Sequence, residues 1–319
     1  MIFDVTLDHI RRAEERIAGR VRVTPSYVSE ALSSRLGHTA VLKLEALQDA
    51  GSFKVRGCFN KLLQLTPKEL SRGVVTVSGG NHAIAVAKTA AALGSRALVL
   101  MPEAASPFNI ALTRAAGGEV ELCDDAIAAF AKAEAYGENG MTNVHAYDDP
   151  AIIAGHGTLG LEFAAQAQGL TDVFVSIGGG GFSAGVAAAI KGLSPSIRIH
   201  GVETVGATTM TQALAAGSPV PIRPTSIART LGAPFATERT MTAARTLLDD
   251  IILVEDRDAV AELVWTLQNE RILVEPAAAC VIAAALQIKD RLGPRVGLVL
   301  CGSNVALEDV AAWRTTFGV

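Results

Sequence analysis

Short apolar runs of strand length alternate with helix-length stretches through most of this chain, and glycine or proline marks nearly every junction. Val74 to Ser78, Ala97 to Met101 and Val120 to Cys123 read as buried strands, as do Asp172 to Ile177, Arg198 to Glu203, Ile251 to Val254 and Val296 to Leu300. Helical segments of about a dozen residues separate them. Thr66-Pro67-Lys68-Glu69 is a capping box with proline in the first turn, and Gly73 closes that short helix. Ser106-Pro107 opens another helix, which Gly117-Gly118 stops. Strands joined in this way require right-handed crossovers, which predicts an α/β fold of open, mostly parallel sheets with helices on both faces.

At 319 residues the chain exceeds one average domain, and two lobes are expected. A break near Asp148-Asp149-Pro150 and a strand at Val41 to Leu47 suggest a large domain of residues 1–47 plus 148–319, with a small domain of residues 48–147 inserted in it. Residues 7–18 carry Leu7, Ile10, Ala13 and Ile17 at helical spacing, with Asp4 or Thr6 as cap.

Composition closes several function classes. No apolar run approaches the roughly 20 residues of a membrane span, and the N-terminus lacks a basic segment followed by an apolar one, so a cytoplasmic protein is expected. The net charge of −4 with scattered lysines and arginines gives no footprint for nucleic acid. Cys58, Cys123, Cys280 and Cys301 have neither CxxC spacing nor an accompanying histidine pattern, which argues against structural zinc and a disulfide framework.

Gly51-Ser52-Phe53-Lys54-Val55-Arg56-Gly57 follows the first strand and opens a helix whose apolar face is Val55, Phe59, Leu62 and Leu63. Ser52 is placed to cap it. A lysine in a helix's first turn meets the positive end of the helix dipole, which lowers the amine's pKa and improves it as a nucleophile. A lone Ser-x-Lys is also what a solvated surface lysine looks like, so the other loops must decide. Gly178 to Gly181, after a buried strand and before a helix, gather backbone N–H groups at a helix N-terminus and so form a phosphate cradle. Their spacing does not fit the GxGxxG fingerprint, and no Lys-Ser or Lys-Thr follows for a nucleoside triphosphate loop. Ser78-Gly79-Gly80-Asn81-His82 offers donors suited to a carboxylate at another helix start. Cys301-Gly302-Ser303-Asn304 ends a strand, where open α/β sheets bind ligands. An activated lysine, a phosphate cradle and a carboxylate loop together describe a Schiff-base enzyme that holds pyridoxal phosphate and an amino acid.

Over nearly its whole length the chain resembles the serine/threonine dehydratase group of the fold type II pyridoxal phosphate enzymes. The matching stretches are residues 51–57, Ser78 to His82, Gly155-His156-Gly157-Thr158 with Glu162, Gly178 to Gly181, Val274-Glu275-Pro276 and Cys301 to Asn304. The resemblance implies that Lys54 binds pyridoxal 5'-phosphate as a Schiff base, that Phe53 flanks the pyridine ring, and that Asn81 hydrogen-bonds the ring hydroxyl. Gly178, Gly179, Gly180 and Gly181 hold the phosphate. Ser78, Gly79, Asn81 and His82 take the substrate carboxylate, and either Cys301 or Ser303 meets the pyridine nitrogen.

The implied reaction is α,β-elimination of L-threonine, L-serine or a related β-hydroxy amino acid to a 2-oxo acid and ammonia. An amino-acid racemase or a β-replacement synthase of the same fold is the alternative, and a non-catalytic ligand-binding homologue a remote one. Three departures from the group's pattern stand out. His156 replaces the usual glutamine. The group's divalent-cation site falls on Glu203, the Ala207 carbonyl and Thr209, where the third position is normally an aspartate, so cation binding is expected to be weak or absent. Gly79 stands where the racemases carry a serine as second base. The resemblance further implies a homodimer, and the end of the chain soon after Asn304 implies no C-terminal sensing domain and no feedback control by isoleucine.

Overall fold

The computed structural model describes residues 3–319. The apolar runs sort into two sheets, both shaped by crossover connections. The larger is built from β1 (Ser26–Ser29), β2 (Thr39–Leu44), β7 (Asp172–Ser176), β8 (Arg198–Thr204), β9 (Asp250–Val254) and β10 (Arg295–Leu300), in the order β1-β2-β10-β7-β8-β9. Only the β1–β2 pair is antiparallel; the other pairings are parallel. The smaller sheet is wholly parallel and contains β3 (Val74–Val77), β4 (Ala97–Pro102), β5 (Glu119–Cys123) and β6 (Thr142–Asn143), in the order β5-β4-β3-β6.

Parallel strands buried on both faces read as near-continuous apolar runs, and the middles of β7 and β10 do: Val173, Phe174, Val175, Val296, Leu298, Val299 and Leu300 are all buried. The alanine-rich helix Pro276–Gln287 lies against this sheet with Pro276 through Ala285 buried, as a helix apolar on every side must be. Three further helices, Lys54–Leu62, Pro150–Gln166 and Gly181–Leu193, pack closely together. Gly155 makes this closeness feasible, because a Cβ there would fall 2.6 Å from the Arg56 carbonyl oxygen and from the Gly57 Cα. The Gly-His-Gly-Thr stretch therefore owes its glycines to helix packing.

Two local expectations need correction, and a third is decided between its alternatives. The strand read at Val41 to Leu47 is β2, which ends at Leu44, and Glu45–Leu47 is a single 3-10 turn that redirects the chain toward Lys54. Ser52 does not cap the following helix: its backbone bridges to Gly302 in antiparallel fashion, and its hydroxyl is buried without a partner. At the N-terminus Thr6, not Asp4, is the cap, accepting from the His9 N–H. Two strands went unnoticed in the sequence, the short edge strands β1 and β6. Neither has an apolar run: β1 is Ser-Tyr-Val-Ser, and β6 is only Thr142-Asn143.

Candidate active site

In the larger sheet β10 lies between β2 and β7, and the loops that leave the C-terminal ends of these three strands converge there. This is a switch point, where an open parallel sheet leaves a crevice. The smaller sheet adds the loop after β3. Between them lies a cavity of about 320 Å³ lined by Phe53, Lys54, Ser78 to His82, Gly178 to Gly181 and Cys301, among others. The size suits a small-molecule site.

Lys54 projects from the first turn of its helix, and its Nζ donates to the Ala146 carbonyl at 2.9 Å. The residue is partly exposed and lines the cavity. Desolvation dominates and brings the amine's pKa down to about 8, against a small opposing influence from the Cys58 and Cys301 thiols. Phe53 is buried, stacks on Phe182 with ring centroids 3.8 Å apart, and forms part of the cavity wall.

A buried ionic network anchors the lysine's helix. Arg56 binds Glu45 through Nε and Nη2 at 2.8 and 2.7 Å, and Nη2 also reaches both Glu162 oxygens at 3.0 Å. Lys43 joins Glu162 from β2. Burial opposes ionisation of Glu45, but the adjacent guanidinium holds its carboxyl below the usual range. Arg56 and Glu162 thus serve the fold, tying the Lys54 helix to β2 and to the helix Pro150–Gln166.

At the opposite wall the helix Gly181–Leu193 begins. The N–H groups of Gly178, Gly179 and Gly180 have no backbone acceptor among the described residues, and those of the helix's first turn have none within the helix. Gly179 is obligatory, because a Cβ there would lie 2.3 Å from Cγ of the Tyr147 ring. Gly180 has φ +91°, in the left-handed region. Such an array of unpaired donors suits a phosphate, and with Lys54 on the same cavity the residues fit pyridoxal phosphate.

The loop after β3 is shaped from within: the Gly80 N–H donates to Ser78 Oγ at 3.2 Å, and Asn109 Nδ2 to the Gly79 carbonyl at 3.2 Å. The helix Asn81–Ala92 then presents the N–H groups of its first turn. Here the His82 ring departs from expectation. Its Nε2 lies 3.0 Å from the Val144 carbonyl, which makes it the N–H donor, and its Nδ1 lies 3.8 Å from the Cys58 thiol. Burial lowers its pKa to about 3. The ring is therefore neutral and engaged on both sides, so His82 has only its backbone N–H to offer a carboxylate.

Cys301 lines the cavity, whereas Ser303 does not: its hydroxyl donates to the Ala46 carbonyl at 2.9 Å and stitches the turn before Lys54. Burial raises the Cys301 pKa far above the ordinary thiol range, leaving a neutral S–H. His156 is fully buried edge-on to Phe53 at 4.8 Å and does not reach the cavity.

Glu203 finds protein donors at the start of a neighbouring helix. Its carboxylate accepts from the Met210 N–H at 2.7 Å, the Thr211 N–H at 3.0 Å and the Thr211 hydroxyl at 2.6 Å, so it caps the helix Thr209–Ala216. Thr209 Oγ1 donates to the Ala233 carbonyl. No group of three or more histidine, cysteine, aspartate or glutamate side chains able to hold a metal occurs among the described residues.

Sequence reading missed the aromatic side of the cavity. Phe130, from the helix Ala126–Glu138, and Tyr147 line it, with Phe235 5.7 Å from the Phe130 ring. These residues share no local motif. Their spacing along the chain carries no signal.

The family model described as "Pyridoxal-phosphate dependent enzyme" matches residues 17–302. An L-threonine ammonia-lyase of Geobacter sulfurreducens is 37% identical over 95% of this chain and 76% of that protein. A phenylserine dehydratase of Ralstonia pickettii is 37% identical over 98% of this chain and 96% of its own length. Among solved structures, maize serine racemase superposes with a TM-score of 0.92 at 32% identity, covering 98% of this chain and 97% of that one.

Proposed function

The chain belongs to the pyridoxal-phosphate dependent enzyme family, and we propose that it releases ammonia from L-threonine, L-serine or a related β-hydroxy amino acid by α,β-elimination, leaving a 2-oxo acid. The observation that carries this reading is Lys54: an amine poised near neutrality, in one cavity with an unpaired glycine cradle and a second helix N-terminus.

When bound, pyridoxal phosphate supplies the electron sink that makes the substrate's Cα proton removable. The protein supplies placement and proton handling. The amides of Gly178 to Gly181 hold the phosphate, and Ser78 with the N–H groups of its loop holds the substrate carboxylate. Lys54 Nζ takes up a proton as base and returns it as acid, roles that suit a pKa of about 8. Cys301 faces the ring site as a neutral thiol, so it does not stabilise a positive charge there as an aspartate would. Gly79 offers no side-chain acid from its loop, which favours elimination over racemisation.

The Phe130 and Tyr147 wall bears on the substrate's side chain. An aryl group on Cβ would find apolar partners there, as the phenylserine dehydratase relative would lead one to test. The test is a panel of L-serine, L-threonine and L-threo-3-phenylserine, scored for 2-oxo acid and separately for enantiomer formation. Ammonia with 2-oxo acid from at least one of them, abolished in Lys54→Ala, is expected. Enantiomer formation without 2-oxo acid would overturn the reading in favour of a racemase. We further take the protein to be a cytoplasmic homodimer, to be checked by light scattering of the holoenzyme; no described helix is long and apolar enough to cross a membrane.

A further inference from the structure

Val274-Glu275-Pro276 has no part in the chemistry above, yet Glu275 sits immediately behind the cavity wall, 3% exposed. A carboxylate withdrawn from water needs donors, and Glu275 has three, none of them charged. Its Oε1 accepts from Asn81 Nδ2 at 2.8 Å and from the Asn304 backbone N–H at 3.0 Å, and its Oε2 accepts from the Thr230 hydroxyl at 2.9 Å. Glu275 also stands at the N-terminus of the helix Pro276–Gln287, whose dipole favours an anion. Burial acts against ionisation and pushes its pKa up. The three donors counter that push in part, because an ionised carboxylate is acceptor-only and matches them without conflict.

The consequence falls on Asn81. A side-chain amide can sit two ways round, and only its partners decide which. Here both ends are determined. Glu275 accepts from the NH₂ end. At the other end Asn81 Oδ1 accepts from Asn304 Nδ2 at 2.6 Å, and Asn304 is itself oriented by donating to the Ala50 carbonyl at 2.8 Å. With the carbonyl consumed and one N–H given to Glu275, the amide has one hydrogen left, and Asn81 lines the cavity.

We propose that Glu275 is a positioning residue: as a carboxylate it locks the Asn81 amide so that the cavity meets an N–H donor, which selects the deprotonated form of the cofactor's ring hydroxyl. Asn81 touches the cofactor, and Glu275 acts only through it.

The test uses the holoenzyme's absorption spectrum and the dissociation constant of pyridoxal phosphate from the apo protein. In Glu275→Gln the replacement amide can present its own NH₂ to Asn81, which frees Asn81 to turn its carbonyl to the cavity. The cofactor's visible band should move toward the near ultraviolet, and the dissociation constant should rise about tenfold, the worth of one hydrogen bond to a charged or strongly polar partner. Glu275→Asp keeps an acceptor-only group and should keep the band in the visible. Should Glu275→Gln fail to fold, Asn304→Ala frees the other end of the Asn81 amide and should move the band in the same direction. The proposal falls if Glu275→Gln, or Asn304→Ala in its place, keeps both the band and the affinity while Asn81→Ala changes both.

Discussion

The depressed pKa of Lys54 can be measured directly. An ordinary lysine titrates near 10.4, so at pH 7 only about one in 2,500 such amines is free. With the pKa at about 8, roughly one Lys54 in ten is free at the same pH, a gain of about 230-fold in reactive amine. The same displacement corresponds to about 3 kcal/mol of preference for the neutral form, which burial at the cavity wall supplies. The sign is that of a buried base: the protonated form is the one penalised, so reactivity rises with pH through about 8 and levels off above it. Trace acetylation of the apo protein from about pH 6 to 11, read peptide by peptide, gives each lysine its own titration curve against the reference values. A Lys54 midpoint above about 9.5 would refute the argument that desolvation activates the amine. Capture of pyridoxal phosphate by the apo protein should follow the same curve once corrected for reaction with a free lysine derivative.

Other outcomes follow from neighbouring features. Arg56→Met leaves Glu45 buried and unpaired and should cost about 3–5 kcal/mol in urea unfolding; a loss below about 1 kcal/mol would show that the network is not what anchors the Lys54 helix. Because the Glu203 carboxylate is already bound by Met210 and Thr211, activity should survive chelation, and complete loss restored by Mg²⁺ would contradict that. Gly79 lies outside the positive-φ region, and a Cβ there would meet Ala105 Cβ at 3.2 Å, so Gly79→Ser fits after a small local shift. It should raise D-serine relative to pyruvate from L-serine, where the unmutated protein makes only traces; equal rates in the unmutated protein would place another acid on that face.

The sequence by itself determined the α/β class, the order of the main strands and the loops that carry donors and the lysine. These features are local: strand and helix periods, capping residues and glycine runs are properties of neighbours in the chain, as the Thr66 to Glu69 box and Gly178 to Gly181 illustrate. The side chains' commitments were decided only by the tertiary structure. Cys301 and Ser303 are two residues apart at one strand end, and nothing local distinguishes them; the 3-10 turn that brings the Ala46 carbonyl to Ser303 does. The His82 ring looked free in the sequence and is consumed by Cys58 and Val144, 24 and 62 residues away. Glu203 meets its donors at the start of the helix Thr209–Ala216, on residues that carry no local sign of it. Glu275 acquires its place beside Asn81 across 194 residues. A buried polar group must find its partners wherever the fold brings them, and that search is global even where the chain's path is written locally.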